Sequence, residues 1–410
     1  MKFATVVSAS AVALALAAAS ALSPLSAEQA RPAAKPAVPQ FKFDKTFPKP
    51  FPNNWKIGQV VGVSVDARNH VWIVQRPGTL KDSEREAFDG SYGGMKGAVA
   101  GCCRPAPPVI EFDQQGNWVQ GYGGATDTYD WPTPAPKGVD GALGGAPFGE
   151  RGIHVDAQDN VWLGADGHGD GQVLKLSRFG RKIMQFGKPK QGKADSSDKM
   201  NARGATGVVV DVKANEAYIA DGLHNRRVLV IDATTGAYKR HWGAYGKPPD
   251  DTVVMKPDAP DVNSPQFGNV HCINQSDDKL LYVCDKANNR IQVFGTDGTF
   301  VKQGAVAPAT KGGSTYGIAF SRDKDQKYAY VADGMNEKVW ILDRQSMETI
   351  GAFGFGGHAG AGFTEAFSIA TDQQGNIYVG EAWEGKRVQR FLLQTGAAAS
   401  RPGFPPSEPK

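Results

Sequence analysis

The sequence predicts an all-β fold, a six-bladed β-propeller whose ring is closed by a strand from the N-terminal side. Six segments share one order of features: an apolar strand, a turn, a second strand that opens on an aromatic residue, an acidic corner and two further strands. Fifty glycines and 26 prolines in 410 residues supply turns for many short strands. The apolar residues show no period of 3.6, so a helical repeat array is excluded.

The first two strands of each repeat carry the clearest signal. The first strands cover 62–66, 152–156, 207–211, 270–274, 317–321 and 368–372. The second strands carry an aromatic residue at matching places, namely Trp72, Trp162, Tyr218, Tyr282, Tyr330 and Tyr378. Each repeat has room for four short strands, which is one propeller blade. The long interval between Asp66 and Asp156 must hold insertions.

The sixth repeat shows only three strands before the C-terminal tail, the last at 387–391. A closed ring needs a fourth strand there, because an unpaired edge would remain open to other chains. We expect residues 54–58, Asn-Trp-Lys-Ile-Gly, to supply it from the N-terminal side.

The chain ends predict export. Lys2, an Ala/Val/Leu-rich stretch and small residues near Ala27 are typical of a cleavable signal peptide over 1–27, which directs a protein to the periplasm or outside the cell. A Pro/Ala-rich linker is expected over 28–50, the propeller over 51–396 and a flexible tail over 397–410. No membrane span is expected after signal cleavage.

Charge gives no sign of a nucleic-acid partner or an anionic membrane surface. The net charge is +4, from 46 basic and 42 acidic residues that are interspersed along the chain. Export permits disulfides among Cys102, Cys103, Cys272 and Cys284, for which three pairings exist. Cys272 and Cys284 lie on neighbouring strands; Cys102 and Cys103 are adjacent, and free or separately paired thiols are the alternative.

One face of the propeller should carry the site. The loops after the second and fourth strands emerge there, including long insertions at 78–106, which holds Cys102 and Cys103, and at 124–150. The second strands end at this face in one arginine and five acids: Arg76, Asp166, Asp221, Asp285, Asp333 and Glu381. These acids either bind a cation or polar ligand, or pair inside their own corners with Arg227, Arg290, Lys338 and Arg387. Arg76 breaks the pattern and is the best ligand contact.

Histidines suggest a metal site on the same face. His154, His168, His224, His271 and His358 lie on or near it. Zinc needs several imidazoles converging on one point, which neighbouring blades could provide. His271 opens an inner strand and is the strongest single candidate, with His154 and His224 as further ligands. The alternative is a structural, hydrogen-bonded role for each.

With the blades placed, the chain resembles the bacterial NHL-repeat proteins grouped with peptidyl-α-hydroxyglycine α-amidating lyase. The matching stretches are 71–77 (VWIVQRP), 102–112 (CCRPAPPVIEF), 239–246 (KRHWGAYG), 270–273 (VHCI), 283–285 (VCD) and 387–391 (RVQRF). The resemblance implies a lyase that releases glyoxylate by breaking a carbon–nitrogen bond, with zinc on three histidines, an arginine and a tyrosine. Arg76 matches the arginine and His271 one zinc ligand.

Three positions depart from that family pattern. Arg151 stands at the first zinc histidine, Phe367 at the third and Leu223 at the tyrosine. Two arginines where the family has one suit an anion. We therefore expect an exported propeller with a pocket for a small polar or anionic molecule or a peptide, served by Arg76, Arg151 and His271. A divergent carbon–nitrogen lyase is the finer expectation.

Two other functions compete with this one. The first is a non-catalytic ligand- or protein-binding propeller of the cell envelope, which an exposed aromatic cluster around Trp131 and Trp383 would favour. The second is calcium-dependent lactone hydrolysis, which needs inward acids and an asparagine at the channel floor. The further candidate ligand contacts are His168, Asp166, Asp221, Asp285, Cys102 and Cys103.

Overall fold

The fold follows from six similar segments that each form one antiparallel sheet. The computed structural model describes residues 38–81, 83–84, 102–132, 149–167, 169–191, 195–253, 256 and 258–394. The predicted signal peptide, the start of the linker and the C-terminal tail lie outside these residues, as do 85–101 and 133–148 of the two insertions. Among the described residues, no helix has the length and apolarity to cross a membrane.

Six four-stranded sheets, the blades, are arranged as a propeller, which confirms the predicted fold class. Strands are numbered along the chain, beginning with β1 (Gln40–Asp44) and β2 (Trp55–Lys56). Blade one consists of β3 (Gln59–Val65), β4 (Val71–Arg76), β6 (Val109–Phe112) and β7 (Trp118–Tyr122), and the short β5 (Arg104–Pro105) pairs with β2. Blade two consists of β8 (Glu150–Val155), β9 (Val161–Ala165), β10 (Val173–Leu176) and β11 (Lys182–Phe186).

The next three blades repeat the same order from the inner to the outer strand. Blade three holds β12 (Ala205–Asp211), β13 (Glu216–Asp221), β14 (Arg227–Asp232) and β15 (Tyr238–Trp242). Blade four holds β16 (Val270–Gln275), β17 (Leu281–Asp285), β18 (Arg290–Phe294) and β19 (Phe300–Ala305). Blade five holds β20 (Gly317–Phe320), β21 (Tyr328–Asp333), β22 (Lys338–Asp343) and β23 (Thr349–Phe353).

Blade six closes the ring with a strand from the other end of the chain. The pair β24 (Phe355–Gly356) and β25 (Gly362–Phe363) precedes β26 (Ala366–Thr371), β27 (Ile377–Glu381) and β28 (Arg387–Gln394). The fourth strand is β1, antiparallel to β28 from Gln40 opposite Gln394 to Asp44 opposite Arg390. Short 3-10 turns occur at Pro52–Asn54, Pro77–Thr79, Ala244–Gly246 and Lys286–Asn288.

The predicted closing strand at Asn54–Gly58 is therefore wrong, and the true one lies inside the expected linker. The stretch Gln40–Asp44 alternates polar and aromatic residues, as a half-buried edge strand does. Its Phe41 contacts Tyr330 and Phe353, and its Phe43 contacts Phe391. Trp55 instead packs on Trp118 of blade one, at 4.5 Å between ring centroids.

The aromatic residues of the second strands form the centre of each blade. All six are buried to within 1% of full burial. In three blades the ring also donates a hydrogen bond to the aspartate that ends the first strand: Trp72 to Asp66 at 3.1 Å, Trp162 to Asp156 at 2.9 Å and Tyr378 to Asp372 at 3.0 Å. The same aspartates accept from backbone amides of the following turn. In each of these blades, one carboxylate thus links the buried aromatic ring to the backbone of the hairpin turn by hydrogen bonds.

All four cysteines are bonded. Cys272 and Cys284 face each other across β16 and β17 and form one disulfide, and Cys102 and Cys103 form the other. Of the three possible pairings, the structure therefore has the one that joins two residues adjacent in the chain and two residues opposite each other on paired strands. The disulfides indicate an oxidising, extracytoplasmic compartment.

Candidate functional site

The six inner strands place one residue each at the same level of the central channel. In each inner strand, this residue lies three positions before the residue that is paired in the sheet with the aromatic residue of the second strand. They are Val61, Arg151, Thr206, His271, Tyr316 and Phe367, and all six line the channel, which encloses about 190 Å³. Arg151 and Phe367, where the sequence resemblance predicts two zinc histidines, therefore occupy positions equivalent to that of His271.

Four of these residues crowd together at this end of the channel, and we call Arg151, His271, Tyr316 and Phe367 the mouth cluster. Arg151 Nη2 lies 2.6 Å from His271 Nε2, although the two residues belong to blades two and four. The guanidinium carbon of Arg151 stands 4.3 Å above the ring centre of Phe367. The His271 ring meets Tyr316 at 4.9 Å and Phe367 at 5.0 Å, edge to face.

The partners of His271 fix its proton. Its Nδ1 lies 2.6 Å from the carbonyl oxygen of Tyr316, which can only accept, so Nδ1 carries the hydrogen. Nε2 is then the acceptor for the Arg151 guanidinium. Burial and the Arg151 cation both hold the pKa of His271 well below its usual range. His271 is therefore a neutral imidazole whose one lone pair is already bonded to a cation.

Asp166 organises the two arginines. Its Oδ1 accepts from Arg76 Nη2 at 2.5 Å and its Oδ2 from Arg151 Nη1 at 2.8 Å, and the carboxylate is fully buried. Arg76 Nε also donates to the carbonyl of Glu150 at 3.0 Å. Burial lowers the pKa of Arg151 to about 10, although Asp166 opposes that change. The predicted contacts Arg76, Arg151, Asp166 and His271 thus form one connected network.

Three residues that the sequence did not single out extend this network: Lys286, Glu337 and Glu365. Lys286, directly after β17, has its Nζ 4.3 Å from the ring centre of Tyr316. Glu365 comes directly before β26, and its Oε2 is buried with no hydrogen-bond partner among the described residues. Glu337 Oε2 accepts from the backbone amide of Glu365 at 2.7 Å. Tyr316 is a fourth residue that was not singled out, and it could have been predicted, because aligning the six first strands places it at the same level as His271.

The pKa values of these groups depart from their usual ranges. Burial lowers the pKa of Lys286, and Arg151 lowers it further, while Glu365 opposes the change. Burial raises the pKa of Glu365 against the pull of Lys286 and Arg151. Burial also raises the pKa of Glu337 to about 7. Clustered groups with displaced pKa values are typical of sites that bind or transfer protons.

The acids of the other corners are occupied within their own blades. Asp221 pairs with Arg227 at 2.7 Å and Asp285 with Arg290 at 2.9 Å, and all four side chains are fully buried. Glu381 pairs with Arg387 at 2.6 Å. Asp333 differs, because its partners are Trp340 and Asn336 rather than Lys338. Asp221 and Asp285 are therefore held by ion pairs within their own blade corners, and their role as ligand contacts stays a prediction.

The predicted zinc ligands do not converge. His154 lies three residues further along β8 than Arg151 and lines the channel, and His224 is exposed beyond β13. Among the described residues, the only group of three metal-ligand side chains is Asp66, His70 and Glu111. Arg178 is bonded to both acids of that group. His168 lies outside the described residues.

The remaining candidates differ in their surroundings, and Trp131 belongs to the same hydrophobic core cluster as Tyr316 and Phe367. Cys102 and Cys103 are bonded to each other directly before β5, and Cys102 is exposed. Trp131 is buried and donates to Glu150 Oε1 at 2.7 Å, whereas Trp383 is 42% exposed. The exposed Trp131–Trp383 cluster that would favour a purely protein-binding propeller is therefore not formed.

Comparisons with known proteins support the fold. No protein-family model and no curated protein sequence matches the chain. A structural genomics protein of unknown function from Bacteroides thetaiotaomicron matches with a TM-score of 0.50 at 14% identity, over 83% of this chain and 70% of that chain. A streptogramin B lyase structure matches at 0.47 and 11% identity, over 86% of this chain and 98% of that one.

A third solved structure is a catalytically inactive virginiamycin B lyase from Staphylococcus aureus with quinupristin. It matches with a TM-score of 0.45 and 13% identity, over 86% of this chain and 88% of that chain. Identities this low show a shared fold alone. The chain is an all-β, six-bladed propeller.

Proposed function

We propose that this chain is an exported propeller, related to the NHL-repeat amidating lyases, that binds a small carboxylate-bearing molecule at the mouth cluster. Arg151 carries the proposal. Its guanidinium is buried, shares the Asp166 carboxylate with Arg76, and otherwise contacts the neutral His271 and the ring of Phe367. Such a cation gains most from a second carboxylate, through charge-assisted hydrogen bonds.

Lys286 supports the same ligand class. Within the part of the chain that the structure describes, no carboxylate lies within 4.0 Å of its Nζ, and its contact is the face of Tyr316. A ligand carboxylate placed between Lys286 and Arg151 would replace this weaker cation–π contact with an ion pair. On binding, Arg151 would exchange its hydrogen bond to His271 for one to the ligand. His271 would keep its own hydrogen bond to the Tyr316 carbonyl.

Zinc does not fit the mouth cluster. The resemblance implies three histidine ligands, but the equivalent positions offer one imidazole nitrogen, from His271, and that nitrogen accepts from Arg151 at 2.6 Å. A zinc ion there would face a guanidinium cation at contact distance, and Phe367 has no donor atom. The proposed function therefore uses no zinc.

The finer proposal is a carbon–nitrogen lyase that acts on a hydroxyglycine end. In that reaction a base takes the proton of the carbinol hydroxyl, the carbon–nitrogen bond breaks, and the departing amide nitrogen gains a proton, giving glyoxylate and an amide. Glu365 Oε2 has no partner among the described residues, and its raised pKa suits a group that takes and returns a proton. Arg151 would hold the substrate carboxylate.

Binding is tested with glycolate and its neutral amide, glycolamide, by calorimetry on the mature protein. We expect glycolate to bind at least about tenfold more tightly than glycolamide, which corresponds to about 1.4 kcal/mol. The preference should disappear in Arg151→Met, be partly kept in Arg151→Lys and be unchanged in Arg181→Met, an exposed arginine outside the site. Equal binding of acid and amide by the unmodified protein would refute the proposal.

The lyase step is tested by release of glyoxylate from a short peptide that ends in α-hydroxyglycine. We expect turnover that persists in the presence of a chelator and falls at least about a hundredfold in Glu365→Gln, within the range for loss of a general acid–base group. Loss of turnover on chelation, restored by zinc, would contradict a metal-free route. Glycolate binding without turnover would leave a binding propeller.

A further inference from the structure

The Lys286 amine has a fixed position beside Tyr316. Its stem is fixed by the loop before β20, because a Cβ at Gly313, where φ is +97°, would come within 2.4 Å of the Lys286 carbonyl oxygen and 2.6 Å of its Cγ. Only a glycine allows the loop to close so tightly over the lysine. The amine is thereby held against the face of Tyr316, at 4.3 Å from the ring centre.

The half-buried Glu365, whose Oε2 atom is fully buried, stands beside the same tyrosine. A Cβ at Gly334 would lie 2.7 Å from Glu365 Cγ and 3.0 Å from Tyr316 Cε1, so both side chains close over this glycine. Glu365 is held in turn by Glu337, which accepts from its backbone amide. Lys286, Tyr316 and Glu365 come from three successive blades, and they bring an amine and a carboxyl group close to one aromatic ring.

The amine has the surroundings of a nucleophile. Among the described residues it makes no hydrogen bond or ion pair that would occupy its lone pair or fix its charge. The buried Arg151 cation nearby favours the neutral amine, as does burial itself. Lysines become nucleophilic in sites that remove solvent and add a second cation.

We propose that Lys286 forms an imine with a small aldehyde or α-oxo acid whose carboxylate is held by Arg151. Nζ attacks the carbonyl carbon to form a carbon–nitrogen bond, and the resulting carbinolamine loses its hydroxyl as water, using a proton from the Glu365 carboxyl. One Nζ proton passes through solvent to the carbonyl oxygen when the carbinolamine forms. The second Nζ proton returns to the Glu365 carboxylate as the hydroxyl leaves, so amine and carbonyl become imine and water. The inference rests on the proposed function for the carboxylate contact and names its substrate class.

Reductive trapping tests the imine directly. The mature protein is incubated with glyoxylate and sodium cyanoborohydride, and peptide mapping by mass spectrometry locates the carboxymethylated lysines over time. We expect Lys286 to be modified at least about tenfold faster than the exposed Lys311, since a pKa lowered by one unit raises the neutral fraction at neutral pH about tenfold. Glu365→Gln should slow trapping at Lys286 and leave Lys311 unchanged.

Matched variants separate the outcomes. Lys286→Arg keeps the cation but cannot form an imine, so the fast adduct should vanish, whereas Lys311→Arg should leave it intact. Trapping at Lys286 no faster than at Lys311, or a fast adduct that survives Lys286→Arg, would overturn the inference. Glycolate binding to the same preparation is the separate test of the carboxylate site. If glycolate binds and no adduct forms, the imine alone is refuted. If glycolate does not bind and no adduct forms, both proposals are refuted.

Discussion

At the scale of single residues, the mouth cluster depends on which side chain each inner strand places at the same level of the channel. Arg151, His271 and Phe367 occupy the same level in alternate blades, and each contacts the other two. An imidazole ring between a guanidinium and a phenyl ring cannot collect a metal ion. The six inner strands thus bring a guanidinium, a neutral imidazole and two aromatic rings together at one end of the channel.

His154 gives a residue-scale prediction about pH. Burial lowers its pKa to about 4, so between pH 6.5 and 4 the unfolded chain binds a proton there that the folded chain does not. The free energy of unfolding should therefore fall as the pH decreases through this window, with His154 contributing up to about 3 kcal/mol.

The measurement is urea unfolding at a series of pH values for the unmodified protein and His154→Gln. We expect the variant to lose less stability between pH 6.5 and 4. His358→Gln, at an exposed position, is the control and should follow the unmodified protein. Identical pH dependence in all three proteins would show that His154 is protonated in the fold as readily as in the unfolded chain.

At the scale of elements, ring closure depends on five residues near the N-terminal side. β1 adds the outer strand to blade six and covers the edge of β28, from Leu393 opposite Phe41 to Phe391 opposite Phe43. Pairing an edge strand removes unsatisfied backbone groups, and the aromatic contacts of Phe41 and Phe43 add burial.

Truncation tests this element. A chain that starts at residue 38 should keep the stability of the mature protein, whereas one that starts at residue 46 should lose at least about 3 kcal/mol, comparable with removing one buried phenylalanine. Hydrogen exchange of the β28 amides should be slow in the first chain and fast in the second. Equal melting temperatures and equal protection of β28 would mean that β1 does not close the ring.

At the scale of the whole molecule, the two disulfides and the predicted signal peptide agree on a compartment. Cys272–Cys284 and Cys102–Cys103 account for all four cysteines, so the fold is oxidised throughout. We expect the protein, expressed in a Gram-negative host, to collect in the periplasm with Glu28 as its first residue. N-terminal sequencing checks this; a cytoplasmic protein that retains Met1, or one with free thiols, would argue against export.

The repeats made much of the architecture readable from the sequence. The first strand and the aromatic ring recur in all six segments, and the acidic end of the second strand recurs in five. Each of these features depends on neighbours along the chain. The ion pairs of Asp221 with Arg227 and of Asp285 with Arg290 could be predicted for the same reason, because the partners of each pair lie close together in the chain at one corner. The repeated local features therefore predict the number of blades and the face on which the candidate site lies.

Tertiary structure alone decided which residues meet. Arg151 bonds to His271 across two blades, Lys286 and Glu365 reach Tyr316 from the blades on either side, and β1 pairs with a strand from the far end of the chain. These contacts join residues that are distant in sequence, and no local pattern records the distance between them. The local pattern therefore specifies a six-bladed propeller, whereas closure of the ring places a bonded arginine–histidine pair beside a half-buried lysine at its mouth.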